Sequence, residues 1–252
     1  MPQSPFHIRD NLTHPDDTDF VVAAFDSCVP YCKSIGSAGM WGPELFSAKD
    51  GFVKSTEEDV LGSERYRLAG AGEAVKIFIA ERILDGESGN TEAGDRQEEG
   101  ATLQGQEEKD GLCYRTGDEK DGAGHPKRFL KVGMAMVKLN WFPGYIRNQA
   151  IFANLIGEAE QAGEWLYVEV MISDFRTSCT SRRGVGSALL GYIKSFAQQS
   201  GARTVFVDAW SGNGGKLVRF YESNGFMAVD AYVLQRKNKE PWPAVVLRMD
   251  LY

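Results

Sequence analysis

The second half of the chain carries a regular pattern of apolar and polar positions. Trp165–Ser173 is nearly continuous in apolar residues and predicts a buried strand, which Glu169 alone interrupts with a charge. In Gly186–Gln199 the apolar residues recur at helical spacing, and Gly201 follows as the predicted end of that helix. The other elements predicted here are a helix over Arg147–Gly163, a strand over Arg203–Trp210, a short helix KLVRFYES, and strands near Phe226–Leu234 and Val245–Leu251.

The last of these strands alternates strictly. Its two faces are Val245, Leu247, Met249 and Leu251 on one side, with Arg248 and Asp250 on the other. Successive side chains of a strand point to opposite faces, so this pattern predicts a half-solvated antiparallel strand.

The first half predicts fewer elements. A strand over Phe6–Leu12 precedes a helix that begins near Asp16–Asp19 and runs to about Cys32. A second helix is predicted over Pro43–Val60, after a Gly-rich joint in which we expect Trp41 to pack on the core. Two strand-like segments follow, Val75–Ile83 and Arg128–Leu139.

The segment between these two strands has a different composition. Asp85–Pro126 holds twelve acidic residues, four basic residues and nine glycines in 42 residues, without apolar periodicity. Such a composition predicts a solvated, disordered loop. We therefore expect one domain over residues 1–252 with a disordered acidic insertion at residues 85–127, a boundary between two domains being the alternative.

Composition narrows the function classes. The net charge is −7, but without the acidic segment 23 acidic and 24 basic residues remain, so the folded body is nearly neutral. We expect no nucleic-acid partner, since the body lacks a basic excess. Four cysteines without a CxxC pair and three histidines argue against a metal site. No signal peptide or long apolar run is present, so we expect a cytoplasmic protein with no membrane contact.

The sharpest local motif is SRRGVGSALL, Ser181–Leu190, where the buried strand gives way to a helix. Gly184 and Gly186 allow close backbone approach, so the N–H groups at the helix start can bind an anion. Arg182 and Arg183 add positive charge. The motif predicts a pyrophosphate site, and an ordinary strand-to-helix turn is the alternative.

This loop resembles the signature R/Q-x-x-G-x-G/A of the GNAT superfamily of N-acetyltransferases, with Ser181 at the R/Q position as a departure. A second segment, Val207–Phe226, is similar to the family's strand–loop–helix ending in FYE-x-x-GF. The resemblance implies an α/β (α+β) fold. Its mixed, mostly antiparallel central sheet is flanked by helices, and a splayed strand pair holds acetyl-CoA.

The resemblance also implies cofactor contacts. These would come from the backbone of Val170, Met171 and Ile172, from the loop residues Arg182, Arg183, Gly184, Val185, Gly186 and Ser187, and from Asn213 and Tyr221. Turn chemistry explains Asn213 equally well, because it lies in the loop SGNGG.

Three residues are candidates for catalysis. Tyr221 occupies the position of the family's general acid, which would protonate the CoA sulfur, although helical spacing also fits a core residue. Glu169 is the leading candidate for the base, since burial would raise its pKa, and the alternative is that it pairs with an arginine or caps a loop. Asp208 is the second candidate. If their strands are neighbours, both carboxylates line one cleft and could bind a cationic amine.

We therefore expect an acetyl-CoA-dependent N-acetyltransferase that acts by direct attack of a small-molecule primary amine. The acceptor pocket is expected between the two N-terminal helices and the loop Trp141–Tyr145, in a monomer or homodimer. The alternatives are a protein or peptide N-acetyltransferase, a non-catalytic acyl-CoA-binding or sensor domain, and an interaction module that uses the acidic insertion.

Overall fold

A computed structural model of the chain describes residues 4–11, 16–84, 111–120, 124–236 and 240–251. The strands are β1 (Phe6–Asp10), β2 (Val75–Leu84), β3 (Tyr114–Lys120), β4 (Pro126–Leu139), β5 (Trp165–Ser173), β6 (Thr204–Trp210), β7 (Met227–Leu234) and β8 (Trp242–Asp250). The helices are α1 (Asp17–Ser34), α2 (Phe52–Ala69), α3 (Gly144–Arg147), α4 (Ala153–Ala162), α5 (Cys179–Arg182), α6 (Val185–Gln199) and α7 (Gly212–Ser223). A 3-10 turn, Ala150–Phe152, joins α3 to α4.

The strands form a single sheet in the order β1-β2-β4-β5-β6-β8-β7, and β3 pairs with the first part of β4. Neighbouring strands are antiparallel except for the pair β5 and β6. That parallel pairing is short: it begins with Trp165 opposite Thr204 and ends with Val168 opposite Val207. Beyond this point β5 and β6 diverge, and a cleft opens between them.

Three apolar clusters hold the layers together. The first lies where α6 and α7 pack on the sheet and includes Leu189, Ile193 and Leu247. A second joins α1 and α2 to the opposite face. The third packs α3, α4 and the 3-10 turn against Tyr167 and Phe206. The mixed, mostly antiparallel sheet flanked by helices confirms the predicted fold class.

The periodic segments of the second half lie where the pattern predicts them, with two corrections. The predicted helix 147–163 is two helices joined by the 3-10 turn. In the last strand Arg248 and Asp250 are half-buried on one face, as predicted, but Ala244 and Val246 on the same face are buried in the third cluster, so only the end of the strand is half-solvated.

The second helix was predicted over 43–60, but it lies further along the chain by about half of its length. The helix runs from Phe52 to Ala69 between two glycines with left-handed φ, Gly51 at 75° and Gly70 at 61°. Only Thr56, Val60 and Ser63 on it are buried. Because so few positions face the core, apolar periodicity does not mark the second half of this helix.

Part of the acidic segment is ordered, which corrects the prediction of disorder there. Tyr114–Lys120 forms β3 and pairs with β4, with Tyr114 opposite Leu130. Residues 85–110 and 121–123 of that prediction lie outside the described residues.

A buried ion network joins β3 to the body. Glu81 of β2 is fully buried and contacts Arg9 at 2.7 Å, Arg115 of β3 at 2.5 Å and the His7 ring at 3.1 Å. Arg9 also contacts Asp17, which the buried Lys131 approaches at 2.9 Å. Burial alone would raise the pKa of Glu81, but the hydrogen bond from Arg115 and the charge of Arg9 outweigh it and lower this pKa to about 2.

Candidate functional site

The cleft between β5 and β6 is a cavity of about 850 Å³. The start of α6 and the diverging part of β5 form one end, and residues 35–42, β6 and the β7–β8 end of the sheet form the other. Its volume lies in the range of small-molecule and cofactor sites. All of the sequence-predicted catalytic and cofactor-binding residues border this one space.

The anion-binding end is the N-terminus of α6. Gly184 caps the helix with φ 86°, a conformation that favours glycine, and residues Arg182 to Ser187 all border the cavity. The first N–H groups of a helix have no partner within the helix, so those of Val185, Gly186 and Ser187 are donors available to an anion here. Arg183 is exposed at the same place. These features fit the predicted pyrophosphate site.

Gly186 has an additional role that the motif does not reveal. A Cβ at this position would lie 2.9 Å from the ring of Phe220, so the glycine lets α6 and α7 pack closely. Phe220 itself borders the cavity. The second glycine of the motif therefore shapes the wall as well as the loop.

Arg182 does not point freely at the anion site. Its guanidinium donates to the carbonyl of Thr177 and lies 5.1 Å from the centroid of the Phe175 ring. That ring stacks on Tyr31 with centroids 3.6 Å apart. Of the two predicted arginines, Arg182 is thus committed to its own loop, whose last residues form the one-turn helix α5. Arg183 is the better candidate for a phosphate.

The edge of β5 faces the cavity as expected. Val170, Met171 and Ile172 border it, and they lie beyond the last residue that pairs with β6. Gly133 of β4 lies directly behind this edge, opposite Ser173. A Cβ on Gly133 would lie 2.8 Å from the carbonyl oxygen of Ile172 and 3.3 Å from Val185. This glycine therefore lets β5 and α6 approach each other beside the cavity.

Asn213 joins the start of α7 to the loop after α1. It borders the cavity, but its side-chain amide donates to the carbonyl of Ile35 at 2.9 Å and to the Ser37 hydroxyl at 2.8 Å. Its φ is 50°, and Gly214 and Gly215 after it are also left-handed. The described contacts thus place the Asn213 side chain on residues 35–42, the loop after α1.

That loop, which we call the roof loop, covers the end of the cavity opposite the start of α6. The Trp242 indole donates to the carbonyl of Met40, and Arg236 donates to that of Gly39, each at 3.2 Å. Trp41 lies partly buried beside Phe25 and Phe46 and also borders the cavity, so it does more than pack on the core. α1 lines the cavity as predicted, whereas α2 does not.

Tyr221 is both a core residue and part of the cavity wall. It is 5% exposed, and its ring packs edge-on against Phe220 and Phe226. Burial, and next the negative charge of Asp208, raise the pKa of its hydroxyl. The phenol therefore stays protonated at neutral pH, so its proton is available to a group in the cavity.

Glu169 forms an ion pair, the alternative that the sequence left open, with a lysine as its partner. It lies where the β4–β5 register shifts, between Val168 and Val170. Lys138 Nζ is 2.9 Å from its carboxylate and 4.4 Å from the centroid of the Trp141 ring. Glu169 borders the cavity together with Asp208, as the parallel pairing of β5 with β6 predicts.

Asp208 lies one residue beyond the last β6 residue that pairs with β5, and three tyrosine hydroxyls surround it. Tyr145 of α3 donates to it at 3.2 Å and Tyr232 of β7 at 3.0 Å, and Tyr167 of β5 donates a short hydrogen bond. We call this group the tyrosine cage. Burial raises the pKa of Asp208, and the three hydrogen bonds only partly offset that effect.

Sequence reasoning missed this cage. The three tyrosines lie in different elements, and Tyr167 and Tyr232 are buried among apolar residues of the third cluster. The sequence did hold one indication of Tyr167, because strand alternation places it on the same face of β5 as Glu169, a candidate base. Nothing in the sequence brings β7 to the same carboxylate.

No family model matches the sequence, and no curated protein matches it. Solved structures do match. The structure of yncA from Salmonella typhimurium with its cofactor acetyl-CoA aligns with a TM-score of 0.52 at 12% identity, over 99% of this chain and 95% of that one. An N-acetyltransferase from Staphylococcus aureus Mu50 aligns with a TM-score of 0.52 at 12% identity, over 99% and 100% of the two chains. This chain therefore shares the fold of these two acetyltransferases, which is the fold class that the two motifs implied.

Two further properties concern the described part of the chain. Its helices include none that is long and apolar enough to cross a membrane. Its His, Cys, Asp and Glu side chains form no group of three or more that is suited to a metal ion.

Proposed function

We propose that this protein is an acetyl-CoA-dependent N-acetyltransferase that acts on the primary amine of a small molecule. The observation that carries the proposal is the single cavity that joins three features. These are the start of α6, the unpaired edge of β5 and a carboxylate-bearing acceptor end. A pyrophosphate fits the helix start, and an extended pantetheine chain fits the strand edge, where backbone groups can bind it.

The chain's own residues supply the chemistry of direct transfer. The N–H groups of Val185, Gly186 and Ser187 would bind the pyrophosphate, with Arg183 beside them. Tyr221 would donate its proton to the sulfur as the bond from sulfur to the acetyl carbon breaks. Its raised pKa keeps the hydroxyl protonated at neutral pH.

The roof loop favours a small acceptor. Its ties to Asn213, Arg236 and Trp242 hold it across the acceptor end, which narrows the access for a folded protein. Aromatic side chains from Trp41, Tyr145 and Trp242 border this end. Such a pocket suits compact organic amines.

Calorimetric titration with acetyl-CoA and a thiol-release assay over a panel of polyamines, arylamines, amino acids and short peptides test the proposal. We expect Tyr221→Phe to lower thiol release by about 100-fold or more while acetyl-CoA affinity stays within about twofold. Tyr192→Phe is the matched control, because Tyr192 packs on Phe78 in the first cluster and does not border the cavity.

The outcomes separate the alternatives. Failure to bind acetyl-CoA would refute the proposal. Binding without turnover over the whole panel would instead identify a non-catalytic acyl-CoA-binding domain. Turnover of peptides alone would replace the small-molecule acceptor by a peptide.

A further inference from the structure

The two carboxylates of the cavity differ in how their charge is balanced. Glu169 has Lys138 as a counter-ion at 2.9 Å. Asp208 has tyrosine hydroxyls only, and no Lys, Arg or His within the described ranges forms an ion pair with it. Asp208 is half-buried, and a desolvated carboxylate without a cation is costly, so such groups are usually paired. The unbalanced charge at Asp208 therefore requires an explanation.

The position of Asp208 provides one. Its side chain borders the cavity beside Tyr145, while Tyr167 and Tyr232 lie behind it and do not line the cavity. The three donors approach from α3, β5 and β7, and they fix the carboxylate in one orientation. Of the three tyrosines only Tyr145 borders the cavity, so a donor in the cavity can approach the carboxylate from that side.

We infer that Asp208 binds the acceptor as a primary ammonium ion and takes its first proton. The inference rests on the proposed function and names the acceptor class, alkylamines that are charged at neutral pH. An ammonium group supplies the missing positive charge and a hydrogen bond from the cavity side, and Tyr145 offers a hydroxyl oxygen for a second N–H. Glu169, already paired with Lys138, then helps to shape the pocket.

The proton and electron balance is complete with acetyl-CoA as the only co-substrate. Asp208 accepts one proton from the ammonium, which frees the nitrogen lone pair. The nitrogen forms a bond to the acetyl carbon, and the bond from that carbon to sulfur breaks. Tyr221 protonates the sulfur and is restored by the second proton that leaves the nitrogen. Asp208 releases the first proton to solvent, so the products are the amide, free CoA and one proton.

The titratable groups that face Asp208 are tyrosines from four elements that pack around it. Tyr145 comes from α3, Tyr167 from β5, Tyr232 from β7 and Tyr221 from α7. β8 contributes the apolar Val246 in register opposite Asp208. Loss of one donating hydroxyl should raise the pKa of the carboxyl group further, because hydrogen bonds to the charged form lower it.

The test compares 2-phenylethylamine with its 2,2-difluoro analogue, which has nearly the same shape but a much less basic amine. Asp208→Asn should lower thiol release from acetyl-CoA by about 100-fold or more with 2-phenylethylamine at pH 7, and by less than about 10-fold with the analogue. The loss with 2-phenylethylamine should shrink as pH rises and more of the amine is uncharged. Asp230→Asn, an exposed change on β7, is the matched control and should leave both rates unchanged.

A second variant tests whether the loss of activity in Asp208→Asn is only a consequence of altered structure. Tyr232→Phe keeps the carboxylate but removes one donor, and it should shift the acidic limb of the rate profile to higher pH. Equal losses with both amines, or no loss with either, would overturn the role of Asp208, as would an unshifted profile in Tyr232→Phe. Wild-type protein that binds acetyl-CoA but acetylates neither amine would also overturn it. Absence of acetyl-CoA binding would instead overturn the proposed function itself.

Discussion

Gly133→Ala tests whether the close approach of β4, β5 and α6 holds the cavity in shape. The new methyl group would lie 2.8 Å from the Ile172 carbonyl oxygen, 3.3 Å from Val185 Cγ2 and 3.5 Å from Ser173 Cα. Ordinary contacts begin at 3.4 Å, so the backbone of β5 must move by about 0.6 Å. A backbone carbonyl cannot turn aside as the end of a long side chain can.

Two opposing effects set the magnitude. Overpacking of this kind costs about 1–3 kcal/mol. The same change restricts the unfolded chain and returns about 0.4–1 kcal/mol. We therefore expect a net loss of about 1–2 kcal/mol in the free energy of unfolding. For a chain of this length such a loss lowers the Tm by about 2–8 °C.

Gly157→Ala on α4 is the matched control, because nothing lies within 4 Å of a Cβ there. It should gain up to about 1 kcal/mol from helix propensity. Urea and thermal denaturation, followed by circular dichroism, measure both variants. Because Ile172 and Val185 border the cavity, Gly133→Ala should also weaken acetyl-CoA binding, whereas Gly157→Ala should not. A Gly133→Ala protein with the Tm of wild type or higher would refute the packing argument.

Two further predictions concern the ion network and the roof loop. The folded-state pKa of Glu81 is about 2, below its usual 4.5, so its contribution is complete above pH 4.5 and is lost as pH falls through 2. We therefore expect the free energy of unfolding of the wild type to fall by about 3 kcal/mol over this pH range. Glu81→Gln should lack this loss. The same dependence of the unfolding free energy on pH in both proteins would contradict the prediction. Asn213→Gly removes two hydrogen bonds but tolerates φ 50°, so it should cost about 1–3 kcal/mol in thermal unfolding. Asn213→Ala should cost about 1 kcal/mol more because of the left-handed backbone, and equal stability of the two variants would argue against that strain.

The predictability of the fold follows the strength of each local pattern. β5 was predicted to the residue and α6 to within one residue, because burial on these elements imposes a clear period on the sequence. α2 was misplaced because only three of its residues are buried. β3 was missed because one buried residue among seven leaves no alternation to detect.

The candidate site was predictable as a list of positions but not as a set of contacts. The two motifs identified the helix start, the β5 edge and Tyr221, because glycines and a phenol at those spacings are recognisable. They did not show that the Arg182 side chain donates a hydrogen bond to Thr177, or that the Asn213 side chain donates to the roof loop. The tyrosine cage joins residues up to 87 positions apart, from Tyr145 to Tyr232, and only the sheet order brings them together.

The buried contact between Arg115 and Glu81 changes what the acidic segment can be. Deletion of residues 85–127 would remove Arg115 along with β3, and it would leave a fully buried carboxylate with one cationic partner fewer. The part of the segment that forms β3 is therefore not a detachable module. A shortened protein intended to test binding by the acidic residues must keep Tyr114–Lys120, so that a lost interaction is not confused with a weakened body.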